Sequence, residues 1–135
     1  MIVFLLESAG TQAVAQPFIA PFLKLGPLSA TIQTSPYTEF AHLAGAGNED
    51  PVCQPGGSKK IFPVGLLEYN IKTNRAVYNL FSKMIADHPE FNKSIVQFEG
   101  YSLQGVKAVD PASTAYAHRE DNLLVSVSTQ TSAPI

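Results

Sequence analysis

The sequence predicts an α+β domain of the ferredoxin-like kind: a mostly antiparallel sheet of about five strands with helices on one face. Three observations predict it. Apolar runs of strand length alternate with stretches whose apolar residues recur at helical spacing. The stretches follow the order β-α-β, a long loop, then β-α-β-β. The chain has 135 residues, enough for one domain with a core, so residues 1–135 are expected to form a single domain.

Residues 2–7 are an apolar run read as a buried strand. A strand is expected rather than a signal peptide, because the run lacks a basic start and Glu7 breaks it after six residues. In residues 8–25, Val14, Phe18, Phe22 and Leu25 share one helical face. Pro17 and Pro21 should kink or split that helix, and Gly26-Pro27 should stop it. Residues 28–34 form a weaker second strand. Ser35-Pro36 then reads as a cap and first-turn proline for a short helix over 37–43.

Residues 45–58, GAGNEDPVCQPGGS, make a long turn-rich loop of the kind that often serves as a lid or docking segment. A third strand spans 61–69. Thr73 is expected to cap a helix reaching about Asp87, with Val77, Leu80, Phe81 and Met84 on its inner face. His88-Pro89 ends it. Residues 94–106 form a fourth strand and 122–130 a fifth, and the tail 131–135 is expected to fray.

The composition excludes several classes. Apolar residues make up 45% and charged residues 15%, with net charge −2, so no basic face is available for nucleic acid. A lone cysteine, Cys53, leaves no internal disulfide and no thiolate metal cage. No segment approaches the roughly 20 apolar residues of a membrane span, and the expected location is the cytoplasm. A chain that starts at Met1 and ends after its last strand is expected to be self-contained.

The fourth strand alternates. Val96, Phe98 and Gly100 point one way; Gln97, Glu99 and Tyr101 point the other. In the fifth strand Leu123, Val125 and Val127 oppose Leu124, Ser126 and Ser128. One sheet face therefore mixes polar and apolar groups, as a small-molecule pocket or a half-covered subunit contact does.

Three phrases carry a resemblance: NEDPVCQPGGSKKIFPVGL, SIVQFEGYSLQGVKAVD and DPASTAYAHREDNLLVSVSTQ. Together they resemble the substrate domain of fungal FAD-linked oxidoreductases, the berberine-bridge-enzyme-like group with the vanillyl-alcohol-oxidase type of flavin domain. The AYAHRED phrase is the most specific, with Ala117 where that family usually has proline. The resemblance implies small-molecule oxidation in secondary metabolism, with FAD held on a separate domain. That domain is not matched here, and Gly45 and Gly47 follow a short helix rather than a strand, so no dinucleotide fingerprint forms. No cofactor is expected on this chain, and oxidation then has no acceptor within it.

The candidate catalytic residues are Glu99, Tyr101 and His118, with Gln97, Arg119, Tyr116 and Tyr69 as the substrate-binding set. Glu99 or His118 would be the general acid or base, and Tyr101 or Arg119 would hold a developing oxyanion. The competing reading of His118-Arg119-Glu120-Asp121 is a polar turn with Arg119 paired to a neighbouring acid. The competing reading of Glu99 is a solvated face. His42 reads as a helix-surface residue and His88 as a helix end. No spacing brings the three histidines together as metal ligands. The expected function is flavin-independent acid/base chemistry (cyclisation, isomerisation or dehydration) in fungal secondary metabolism. The alternatives are a metabolite-binding accessory protein or an inactive piece of an oxidoreductase. The expected partners are a small hydrophobic or aromatic metabolite and a second copy of the chain.

Overall fold

The computed structural model describes residues 1–50 and 53–131. It divides into two compact units, Met1–Pro55 and Gly56–Ile135. Its architecture is α+β. Among the described residues no helix is long and apolar enough to cross a membrane.

The first unit is helical. Helix α1, Gln12–Leu23, runs unbroken across Pro17 and Pro21. Each proline removes one donor to the residue four back, Ala13 and Pro17, yet the helix continues and is not split. Its covered residues are Ala15, Ile19, Ala20, Phe22 and Leu23, while Val14, Phe18 and Leu25 of the expected face stand exposed. Gly26 closes it in the left-handed region, φ +69°, where a side chain would be strained. A single 3₁₀ turn, Tyr37–Glu39, leads into α2, Phe40–Leu43, where a short helix was expected. The expected strands at 2–7 and 28–34 do not form among the described residues. An apolar run becomes a strand only when a neighbour takes its amides. Phe4 instead meets the ring of Phe22 edge-on, with centroids 5.1 Å apart.

The second unit holds a three-stranded antiparallel sheet, in place of the five strands expected. Strand β1 is Ser58–Leu66, β2 is Ile95–Glu99 and β3 is Leu123–Thr131. Their order is β1-β3-β2. Helix α3, Ile71–Asp87, connects β1 to β2. Both outer strands run antiparallel to β3, so β1-α3-β2 is a split unit with β3 inserted. Pro63 has no amide hydrogen to donate and sits on an edge strand, the place a sheet tolerates it.

The cap of α3 is Asn70, not Thr73. The Thr73 amide donates to Asn70 Oδ1 at 2.9 Å, which places the cap three residues earlier. Val77, Phe81 and Met84 are half-buried as expected, joined by Asn74 and Ile85; Leu80 is exposed. The fourth expected strand stops at Glu99 and does not reach residue 106. Its ladder ends opposite Leu124, one residue inside the start of β3. A helical turn, α4, Gln104–Lys107, and a 3₁₀ turn, Pro111–Ser113, follow. Thr131 belongs to β3; the rest of the tail expected to fray, 132–135, lies outside the described residues.

Candidate functional site

The register of the sheet builds the site. Gly65, Leu124 and Glu99 lie opposite one another in one row across the three strands. Pro63, Ser126 and Gln97 form the next row, and Ile61, Ser128 and Ile95 the one after. Directly opposed residues share a face. The face of Gln97 and Glu99 therefore carries Leu124, Ser126 and Ser128. The other face carries Val96 and Phe98 with Leu123, Val125 and Val127, beside Phe62, Val64 and Leu66. The alternation read from the sequence thus becomes two unlike faces.

Glu99 is half-buried at the end of β2, and the exposed Tyr101 hydroxyl donates to its Oε2. Gln97 stands on the same face, exposed, one row away.

At the opposite side of Leu124 lies a second acid. A β-carbon built on Gly65 would fall 1.8 Å from Asp121 Oδ2 and 2.4 Å from its Cγ. The Asp121 carboxylate thus occupies the side-chain position of Gly65, in the same row and on the same face as Glu99. His118 Nδ1 lies 3.2 Å from the same Oδ2. A carboxylate at Nδ1 favours the tautomer that leaves the Nε2 lone pair free, the orienter-and-base arrangement of acid/base sites. Two strand spacings, roughly 9–10 Å, separate the two carboxylate positions along the row. The floor between them is Leu124.

The segment leading into β3 is tied down at several points. The Asn122 amide donates to Leu66 O at 2.8 Å, its Nδ2 donates to Leu67 O at 2.5 Å, and Lys107 Nζ donates to its Oδ1 at 2.6 Å. These bonds hold Asp121 against β1. Ser94, buried ahead of β2, accepts from the Gln130 amide at 3.0 Å and fixes the other end of the β2–β3 pair.

Of the remaining expected residues, Arg119 is buried, and Tyr116 lies between it and His118. Tyr69 meets Phe98 edge-on at 6.4 Å, which links it to the apolar face rather than to that of Glu99. Glu120 is exposed. Asp121 belongs to the site as the partner of His118, a role the sequence reading left to a polar turn. The spacing of three residues between His118 and Asp121 was its signal; Gly65 and Leu124 carried none.

His42 lies 3.4 Å from Asp50, and His88 lies 3.4 Å from Glu90, both as local surface pairs. Among the described residues no group of three or more His, Cys, Asp or Glu could hold a metal ion. Nor do these residues fit a flavin dinucleotide. Gly45 and Gly47 follow a four-residue helix, and the Gly47 amide already donates to Asp50 Oδ2 at 2.8 Å. A carboxylate stands where a pyrophosphate would need free amides.

Fold and site together define an α+β segment whose sheet presents two acid-centred pairs on one face. Comparison with known proteins places it further. An FAD-linked oxidoreductase of Penicillium roqueforti is 38% identical over 117 residues, which cover 87% of this chain and 23% of that protein. One from Gibberella zeae is 37% identical over 126 residues, 93% of this chain and 25% of its own length. Another from Penicillium rubens is 35% identical over 127 residues, with the same coverage, 93% and 25%. The similarity to fungal FAD-linked oxidoreductases that the three phrases carry is thus found over nearly the whole chain. The chain spans about a quarter of the length of the curated relatives it matches. No family model and no solved structure matches it.

Proposed function

We propose that this chain supplies the substrate wall and the proton-handling groups of a small-molecule oxidoreductase of the FAD-linked kind. The observation that carries the reading is the row Gly65–Leu124–Glu99. It sets Asp121 with His118 at one end and Glu99 with Tyr101 at the other, on one face. FAD, where such a protein holds it, supplies the electron acceptor; the described residues here offer it no cradle, and their part is to bind and to move protons. A small hydrophobic or aromatic metabolite would lie on Leu124 and the small side chains of Ser126 and Ser128. Glu99 or the Nε2 of His118 would take its proton, and Tyr101 would donate to the oxygen that gains charge.

The exposure of the strands supports the same reading. Among the described residues no large side chain is fully buried, and Ile61, Phe62 and Val64 of β1 are all more than half exposed. Such surfaces are made to be covered. Among the described residues β1 and β2 are the outer strands, beside which further strands of a ferredoxin-like sheet of about five would add. A second copy of this chain, or the remainder of a longer protein, would cover the faces.

A second reading is flavin-independent cyclisation, isomerisation or dehydration. It draws on the same two pairs, and their both lying within this one chain favours it. An absorption spectrum separates the two: a flavin band that persists through gel filtration supports oxidation, and a colourless, active protein supports the second.

The shared step is proton abstraction, which can be measured without any acceptor. The test is deuterium wash-in from D₂O at the acetyl methyl of 4-hydroxyacetophenone, followed by NMR. The native chain should accelerate it. Glu99→Gln and His118→Ala should each reduce the acceleration by about 10² to 10⁴, the range for removing a general acid or base. Full rates in both variants, with circular dichroism unchanged, would remove the site.

A further inference from the structure

We propose that Arg119 is a positioning residue, which fixes the His118 imidazole through the ring of Tyr116. The proposal rests on the reading of His118 as a proton-handling group. Arg119 is 8% exposed. Its Nη1 donates to Val106 O at 2.9 Å and its Nη2 to Thr114 Oγ1 at 2.5 Å. Val106 lies in α4, and Thr114 follows the turn Pro111–Ser113. One guanidinium therefore ties both parts of the β2–β3 connection to the mouth of β3.

Both acceptors are neutral, and no ion pair to Arg119 forms among the described residues. The charge lies over Tyr116 instead, 5.5 Å from the ring centroid. That ring meets the His118 ring edge-on, with centroids 6.0 Å apart and an interplanar angle of 69°. His118 thus has Asp121 at Nδ1 and Tyr116 against its ring, and Tyr116 has the guanidinium against its own.

The chemistry requires arginine. A planar fork reaches two acceptors in fixed directions while its flat face stacks on an aromatic ring; an ammonium group cannot do both. Stability alone does not explain the residue. Its Nε is buried with no acceptor, and a buried donor without a partner costs stability. What the arginine contributes is geometry: it holds the ring that holds the imidazole.

The experiment is a two-dimensional NMR measurement of through-space transfer between the Tyr116 and His118 rings in the full chain. The native protein should show the cross-peak. Arg119→Lys and Arg119→Gln should each weaken it at least threefold while the amide shifts of Leu123–Thr131 stay in place, and lysine should not rescue it. If those variants lose the β3 shifts, Thr114→Val decides, since it removes one acceptor and leaves the guanidinium: a weakened cross-peak supports the proposal. A cross-peak of native intensity in Arg119→Lys with β3 intact, or in Thr114→Val, overturns it. Failure here leaves the wash-in result for Glu99 and His118 standing, so the two readings fail separately.

Discussion

Replacing Gly65 by alanine should show directly that Asp121 occupies its side-chain position. The added carbon would lie 1.8 Å from Asp121 Oδ2, 2.4 Å from Cγ and 3.1 Å from Oδ1. Ordinary contact needs roughly 3.5 Å, so the carboxylate must retreat by more than an ångström and leave His118. Overpacking of this kind costs about 1–3 kcal/mol. The alanine itself returns roughly 0.5–1 kcal/mol through the lower entropy of the unfolded chain. The net expectation is a loss of up to about 2.5 kcal/mol, each kcal/mol being worth about 4–8 °C in melting temperature for a unit of 60–100 residues. The assay is urea unfolding followed by circular dichroism, in a double-mutant cycle with Asp121→Ala. The three atoms nearest the new carbon all belong to the Asp121 carboxyl group. In the Asp121→Ala background, Gly65→Ala should therefore be neutral or stabilising, giving a coupling of about 1–3 kcal/mol. An equal cost in both backgrounds would refute the placement of Asp121 and, with it, the row that defines the site.

Three further outcomes follow from the same structure. Asn70→Ala should destabilise α3 by about 1 kcal/mol, the usual worth of a helix cap, and Thr73→Ala by much less in the same unfolding assay; the reverse order would restore Thr73 as the cap. Ser94→Ala should cost about 1–3 kcal/mol, because it leaves the Gln130 amide without its acceptor; a cost within 0.5 kcal/mol, the range for ordinary surface changes, would show that the bond does not hold the β2–β3 pair. Light scattering should give about twice the chain mass of 14.5 kDa, since twofold pairing is the commonest way to cover an apolar sheet face; a monomer mass at every concentration would count against self-association.

The parts legible in the sequence were those fixed by local pattern. Alternation marked β2 and β3, but which alternates of β3 share the face of Gln97 and Glu99 was open until the register set Leu124, Ser126 and Ser128 there. The spacing of Val77, Phe81 and Met84 gave the covered side of α3, but Leu80 fits the same spacing and faces outward, since period alone does not fix where the stripe ends. The runs at 2–7 and 28–34 have strand composition without a ladder partner, and composition does not supply one. Residues 100–106 continue an alternating pattern, yet β2 ends at Glu99, opposite Leu124 and one residue inside the start of β3. In the site, Glu99 and His118 were visible as residue types. The meeting of Asp121 with Gly65 was not, because it depends on a register between segments 56 residues apart in the chain.

The account rests on which sheet face receives a small molecule. The most direct measurement is methyl NMR of the chain titrated with 4-hydroxyacetophenone, with leucine and valine methyls labelled. The account predicts shifts at Leu124, between the two acid pairs, with the methyls of Val125 and Val127 unmoved and the Leu124 shifts lost in Glu99→Gln. Shifts at Val125 and Val127 without Leu124, or a Leu124 response that survives Glu99→Gln unchanged, would contradict it.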